Sequence, residues 1–255
     1  MKLVDTHSHM YLEQFDYDRA ESVQRAISSG VEQIILPNID SESIPSLKSL
    51  LKEFPANCYG LMGLHPTHVK DEYKQELSII EKELDIGNYI GVGEIGIDLY
   101  WDKTHLKEQI DAFVKQVQWA IDRKIPFIIH ARDSFEEVFE ALESMQQSTF
   151  TGIFHAFTGN LEYAKRAIDM GLLLGIGGIV TFKNGGLAEV VEQLDLNHLV
   201  LETDSPYLAP TPHRGKRNES SYVRLVAEKL ASLKGVAIED VAEITTRNAK
   251  NIFKV

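Results

Sequence analysis

Residues 106–132 read LKEQIDAFVKQVQWAIDRKIPFIIHAR, and the change of period inside this stretch decides the fold. Over Leu106–Arg123 the apolar residues Ile110, Phe113, Val114, Val117 and Ala120 recur at the three- and four-residue spacing of one helix face. From Pro126 the pattern becomes a short apolar run, Phe127-Ile128-Ile129, closed by His130-Ala131-Arg132. A run without polar alternation implies a strand covered on both faces, which is the condition of a parallel sheet.

The same unit recurs outward in both directions. Val-, Ile- and Leu-rich runs occupy Leu3–His9, Gln33–Ile39, Cys58–His65, Tyr89–Asp98, Pro126–Arg132, Gly152–Phe157, Leu172–Gly178 and Leu199–Asp204. Helical periodicity fills the intervals. Tyr17–Ser29 is closed by Gly30, and Leu161–Met170 is opened by Asn160 as N-cap and followed by Gly171. Eight strand–helix units in 255 residues predict an α/β fold, a (β/α)₈ TIM barrel built as one domain over residues 1–255. The helices Ser221–Leu233 and Ile238–Phe253 are expected to pack outside it. An open doubly wound sheet is the alternative, but no Gly-rich phosphate loop follows the first strand.

Composition narrows the class. The hydrophobic fraction is 44% and the charged fraction 25%, ordinary for a soluble globular chain. No run is long enough for a membrane helix, and the N-terminus shows no signal-peptide pattern, so a cytoplasmic protein without a membrane partner is expected. The one cysteine, Cys58, excludes an internal disulfide and reads as a small buried hydrophobe. A net charge of −12 argues against non-specific binding along DNA. It leaves open an enzyme that meets a phosphodiester only where bound cations reverse the local sign.

Polar residues interrupt the runs near their C-terminal ends, which a barrel brings to one face. They are Asp5-Thr6-His7-Ser8-His9, Gly63-Leu64-His65-Pro66, Gly93-Glu94-Ile95-Gly96-Ile97-Asp98, His130-Ala131-Arg132, His155 and Glu202-Thr203-Asp204. Charged groups in apolar strands cost several kcal/mol unless paired or ligated. Each alone has an ordinary explanation: a buried histidine pair for His7 and His9, a loop start for Glu94, hydrogen-bonded core histidines for His130 and His155, a turn residue for Asp204. Together, His7, His9, Glu94, His130, His155 and Asp204 form a nitrogen and oxygen donor set suited to Zn²⁺, Mn²⁺ or Mg²⁺.

These motifs, with His155-Ala156-Phe157-Thr158-Gly159, Leu201-Glu202-Thr203-Asp204-Ser205-Pro206-Tyr207 and Arg214-Gly215-Lys216-Arg217-Asn218-Glu219, resemble the TatD family of metal-dependent deoxyribonucleases, within the amidohydrolase superfamily. The resemblance covers essentially the whole chain in order. Glu94 stands where many superfamily relatives carry a carbamylated lysine. The resemblance implies two divalent ions, one on His7, His9 and Asp204, the second on His130 and His155, with Glu94 bridging. It implies a metal-bound hydroxide, with Asp204 as general base, acting on DNA from single-stranded or 3′ ends, and a monomer.

His65, Arg132, Glu202 and Arg214 are the candidate substrate-binding residues. His65 and Arg132 are placed to donate to a phosphate oxygen; a loop anchor and an ion pair with Asp133 or Glu136 are the alternatives. Glu202 is placed to orient a ligand or substrate. The basic loop 213–217 either borders the site or is a solvated surface. Tyr100 and Trp101 either stack a base or pack. A small-molecule amidohydrolase or lactonase, and a non-catalytic metal-binding barrel, are the competing functions.

Overall fold

The computed structural model describes residues 1–183 and 185–255. Strands and helices alternate in chain order: β1 (Leu3–Asp5), α1 (Arg19–Ser28), β2 (Val31–Pro37), α2 (Ile44–Glu53), β3 (Cys58–Leu61) and α3 (Tyr73–Ile86). Next come β4 (Val92–Asp98), α4 (Leu106–Arg123), β5 (Phe127–Arg132), α5 (Phe135–Ser144), β6 (Gly152–Phe154) and α6 (Leu161–Asp169). The series closes with β7 (Leu172–Ile176), α7 (Leu187–Glu192), β8 (Leu199–Leu201), α8 (Val223–Lys234) and α9 (Ile238–Phe253). No described helix is long and apolar enough to cross a membrane.

All strand pairs are parallel. Two ladders form, β1-β2-β3 and β4-β5-β6-β7-β8. Single parallel bridges link them at both seams, Met62 with Val92 and Ser8 with Ser205. Backbone bonds reinforce the second seam, from Thr6 N–H to the Leu201 carbonyl at 3.0 Å and from Asp204 N–H to that of His7 at 2.9 Å. The eight strands are thus joined edge to edge in chain order, the arrangement of a TIM barrel.

One side chain from each of β1, β2, β3, β5, β6 and β8 (Val4, Ile35, Leu61, Ile128, Ile153 and Val200) meets in an inner apolar cluster. Ala249, Ile252 and Phe253 of α9 belong to that cluster. The last turns of α9 therefore close the N-terminal floor of the ring, where the sequence reading expected a purely outer helix. An apolar floor open to water would lose roughly 1.5–3 kcal/mol for each aliphatic side chain left uncovered.

The larger apolar cluster joins the outward strand residues to the inward faces of the helices, including Phe113, Val117 and Ala120 of α4. Asn160 caps α6 as expected, its Oδ1 accepting from the Tyr163 N–H at 2.9 Å. Gly30 (φ 95°) and Gly171 (φ 88°) end the turns after α1 and α6 in the left-handed region.

The strands are shorter than the apolar runs. The β1 ladder stops at Asp5, β6 at Phe154 and β8 at Leu201, so His7, His9, His155 and Asp204 lie just past the ladder ends. Glu94 and His130 remain within β4 and β5.

Candidate metal centre

His7 and His9 share a face although they have left the ladder. The backbone there is held extended by bonds from Ser8 N–H to the Ile35 carbonyl (3.0 Å) and from His9 N–H to that of Ser205 (2.7 Å). Buried Asp5 secures the same corner, accepting from Thr203 N–H at 2.9 Å and Thr203 Oγ1 at 2.6 Å. This clamp between the ends of β1 and β8 brings Asp204 beside the two histidines. Asp204 itself takes a left-handed backbone (φ 55°), which Asp tolerates better than most residues.

Glu94 is the hub. Its Oε2 lies 3.1 Å from His7 Nε2 and 3.3 Å from His9 Nε2. Its Oε1 lies 2.8 Å from His130 Nδ1 and 3.4 Å from both His155 Nε2 and His65 Nε2. The two oxygens of one buried carboxylate thus divide the imidazoles into two groups. Asp204 Oδ1 stands 3.8 Å from His7 Nε2 and 3.7 Å from His9 Nε2, on the first side. His155 also falls with His7 and Asp204 as a possible donor trio, while His65 falls with His130 and Glu94.

For His9 and His130, a hydrogen bond at the far side of the ring defines which nitrogen faces inward as an acceptor. Tyr11 Oη donates to the Pro37 carbonyl at 2.6 Å, so it accepts from His9 Nδ1 at 3.1 Å and leaves Nε2 with a free lone pair. His130 has Asp98 Oδ2 2.9 Å from Nε2, which leaves Nδ1 for Glu94's side. His155 Nδ1 lies 3.1 Å from Glu202 Oε1, off the line along which a ring N–H donates.

His65 is different. The Thr67 backbone N–H must donate to its Nδ1 at 3.2 Å, so neutral His65 carries its proton on Nε2. Burial holds His65 down to about 4, which keeps it neutral near pH 7. It is a donor into the site, not a lone-pair ligand.

The charges perturb one another strongly. Burial opposes the ionisation of Glu94, but His7, His65 and His155 outweigh it and hold the carboxyl well below the usual range. Burial, then His155, pushes His7 well below an ordinary imidazole. Burial also opposes charge on His155, yet Glu202 and Glu94 lift it to about 10. Burial raises Asp204 to about 6 against the pull of His155 and His9.

Four carboxylates (Glu94, Asp98, Glu202 and Asp204) therefore meet imidazoles, and among the described residues no Lys or Arg forms an ion pair with any of them. His7 Nε2 and His9 Nε2 converge at 3.1 Å, and buried His7 Nδ1 has no partner. Converging imidazole nitrogens and carboxylates without a fixed cation are what a divalent cation binds, so the donor set fits a metal centre. His7, His9, Glu94, His130, His155 and Asp204 are the residues that would hold a metal.

The remaining predicted residues are distributed as follows. Glu202, expected among substrate-binding residues, is 0% exposed and accepts from Ala156 N–H at 2.6 Å behind His155. It positions that histidine and cannot reach a substrate. A Cβ at Gly175 would overlap the Glu202 carboxylate, which accounts for glycine there. Arg132 is exposed and unpaired with Asp133 or Glu136; Glu136 is bound by Arg166. Arg214 is exposed over the Phe182 ring, 4.1 Å from its centroid. Arg217 is turned away, bonded to Asp18 at 2.6 Å and lying over Phe15.

Asp5, Asp98 and Tyr11 are the functional candidates that sequence reasoning did not single out. Asp5 and Asp98 stood within the quoted motifs, whereas nothing in the local sequence marks Tyr11.

The chain is similar to known proteins over its whole length. The profile of TatD-related DNases matches residues 4–254. An uncharacterized metal-dependent hydrolase of Bacillus subtilis, YabD, is 38% identical over 99% of both chains. The Escherichia coli metal-dependent hydrolase YcfH is 32% identical, covering all of this chain and 97% of its own. The crystal structure of the E. coli TatD homologue YjjV superposes with a TM-score of 0.92 at 27% identity, over 99% of this chain and 98% of that one. With the profile matched from the first strand to the end of α9, and full-length relatives that are metal-dependent hydrolases, the chain belongs to the TatD family.

Proposed function

We propose that this protein hydrolyses phosphodiester bonds of DNA, as a divalent-metal-dependent exonuclease acting from a 3′ end. The observation that carries the reading is Glu94, whose two oxygens face two separate sets of imidazoles at the open end of the barrel. With that arrangement His7, His9 and Asp204 would hold one cation and His130 and His155 a second, with Glu94 available to both. When bound, two such ions would stabilise charge on a phosphoryl oxygen and lower the pKa of water.

The protein's own groups supply the rest. Asp204, with 15% of its side chain exposed, is the cluster carboxylate placed to accept a proton from the attacking water. His65 presents its Nε2–H, and Arg132 its unpaired guanidinium, as donors to phosphate oxygens. Asp98 fixes the His130 ring by a hydrogen bond, and Glu202 places its charge 3.1 Å behind His155 Nδ1. An Arg two residues beyond His130, without a carboxylate partner among the described residues, favours a phosphate over the neutral carbonyl of an amide or lactone. The family description as DNases supports the same choice.

The test is hydrolysis of labelled single-stranded DNA by protein stripped of metal and then resupplied with Mg²⁺, Mn²⁺ or Zn²⁺, with His155→Ala as the control for contaminating nuclease. Metal-restored cleavage absent from the control is expected. Folded protein that cleaves no DNA with any of the three ions overturns the proposal and directs attention to lactones and small phosphate esters.

A further inference from the structure

Beyond the centre, the loop after β4 carries two large, largely exposed aromatic side chains that lie outside the two apolar clusters. Tyr100 is 53% and Trp101 71% exposed, with their rings perpendicular and 4.8 Å apart. The Arg132 guanidinium lies 3.7 Å from the Tyr100 ring centroid and 5.4 Å from that of Trp101. Strand register brings them together, since Asp98 pairs with Arg132 and the Leu99 N–H bonds the Arg132 carbonyl at 2.9 Å.

This patch is tied directly to the metal centre. Asp98 Oδ1 accepts from the backbone N–H of Tyr100 (3.0 Å) and Trp101 (3.4 Å), while its Oδ2 faces His130 Nε2 at 2.9 Å. One buried carboxylate therefore sets both a candidate metal ligand and the aromatic loop. The Tyr100 face is occupied by the guanidinium, which it holds in place by cation–π contact. The Trp101 ring stays open, beside a cation that no carboxylate of the described residues neutralises.

We propose that Trp101 and Arg132, with Tyr100 as the prop, form a subsite for one unpaired nucleotide: the base stacks on Trp101 and its phosphate is held by Arg132. This rests on the phosphodiesterase reading and adds a requirement for a base. A flat open ring has affinity for the π-face of any nucleobase and little sequence preference, and a free guanidinium complements a phosphate. A base in a duplex is stacked on both sides, so the subsite selects single-stranded or frayed ends.

The chain has two tryptophans, and Trp119 is buried in α4 at 4% exposure. Trp119→Phe leaves Trp101 as the only indole; should that variant misfold, the difference between wild type and Trp101→Phe gives the same signal. Fluorescence is followed during titration with a hydrolysis-resistant phosphorothioate oligomer of single-stranded DNA, and with an abasic oligomer of equal length and backbone. Saturable quenching by the base-bearing oligomer is expected, with affinity at least about fivefold above the abasic one. Read by fluorescence anisotropy of the same two oligomers carrying a 5′ dye, Trp101→Ala should reduce the first affinity to the level of the second and leave the second unchanged.

Equal affinity for both oligomers, affinity unaltered in Trp101→Ala, or no quenching by either overturns the subsite. Binding is read without turnover, so the two proposals separate. Base-dependent quenching without cleavage retains the subsite and removes the nuclease. Cleavage that ignores the base retains the nuclease and removes the subsite.

Discussion

Two clusters of carboxylates are built into this barrel with different partners. Beside α1, Asp18 and Glu219 meet guanidinium groups: Arg217 Nη1 is 2.6 Å from Asp18 Oδ1, and Arg25 Nη2 is 2.7 Å from Glu219 Oε2 and 2.8 Å from Asp18 Oδ2. At the open end of the strands, Glu94, Asp98, Glu202 and Asp204 meet imidazoles. Fixed cations neutralise the first cluster, which makes it part of the fold. The second relies on groups that are neutral or charged according to pH, with ring nitrogens of His7, His9, His130 and His155 gathered around Glu94. A folding cluster and a functional one are thus distinguished by the partners of their acids, not by their number.

Changes at the two clusters should move different observables. The largest effect is expected from Asp204→Asn, which should lower DNA hydrolysis by at least about a hundredfold, the scale of general-base loss, with the circular dichroism spectrum unchanged. Near-normal turnover would remove Asp204 from the mechanism. Asp98→Asn acts one step away, through His130 Nε2, and should weaken divalent-metal affinity by about 10- to 100-fold in calorimetry. Unaltered affinity would make Asp98 a tether of the Tyr100–Trp101 loop alone.

At the other cluster, Arg217→Ala should lower unfolding stability by about 1–2 kcal/mol at pH 7, read by urea denaturation, and leave the cleavage rate per folded molecule unchanged. The acid limb sharpens the same point. Hydrogen bonding to Arg217 holds the Asp18 carboxyl well below its usual range, and Arg25 lowers Glu219 against the opposing effect of burial. Both folded values lie below the unfolded ones, so their stabilisation is complete above an ordinary carboxylate pKa of about 4 and is lost as pH falls through the folded values. Denaturation curves between neutrality and acid should therefore show a steeper loss for the wild type than for Arg217→Ala. Parallel curves would mean that Asp18 does not depend on Arg217.

What could be read in the sequence follows the same division. The eight runs and the helix Leu106–Arg123 were legible because burial imposes a local period. His7, His9, Glu94, His130, His155 and Asp204 were legible because such groups are costly in apolar strands. Long-range pairing was not. Nothing near Glu202 states that its carboxylate backs His155, and nothing near Arg217 states that it turns to Asp18, 199 residues away. The ladder ends were misplaced for a related reason. The segment Thr6–His9 is extended like a strand, but it is held largely by the ends of β8 and β2, which local spacing does not reveal. The closure of the barrel floor by α9 was likewise hidden, because an amphipathic stripe does not say which apolar surface it will cover.

The central claim is that the second cluster is assembled to receive divalent cations, and titration calorimetry of metal-stripped protein with Mn²⁺ tests it most directly, comparing wild type with Glu94→Gln. The account predicts saturable binding by the wild type, with a rise in thermal midpoint, and at least a tenfold loss of affinity when the bridging carboxylate becomes an amide. Folded wild-type protein that takes up no Mn²⁺, Zn²⁺ or Mg²⁺, or a Glu94→Gln isotherm that matches the wild type, would contradict it.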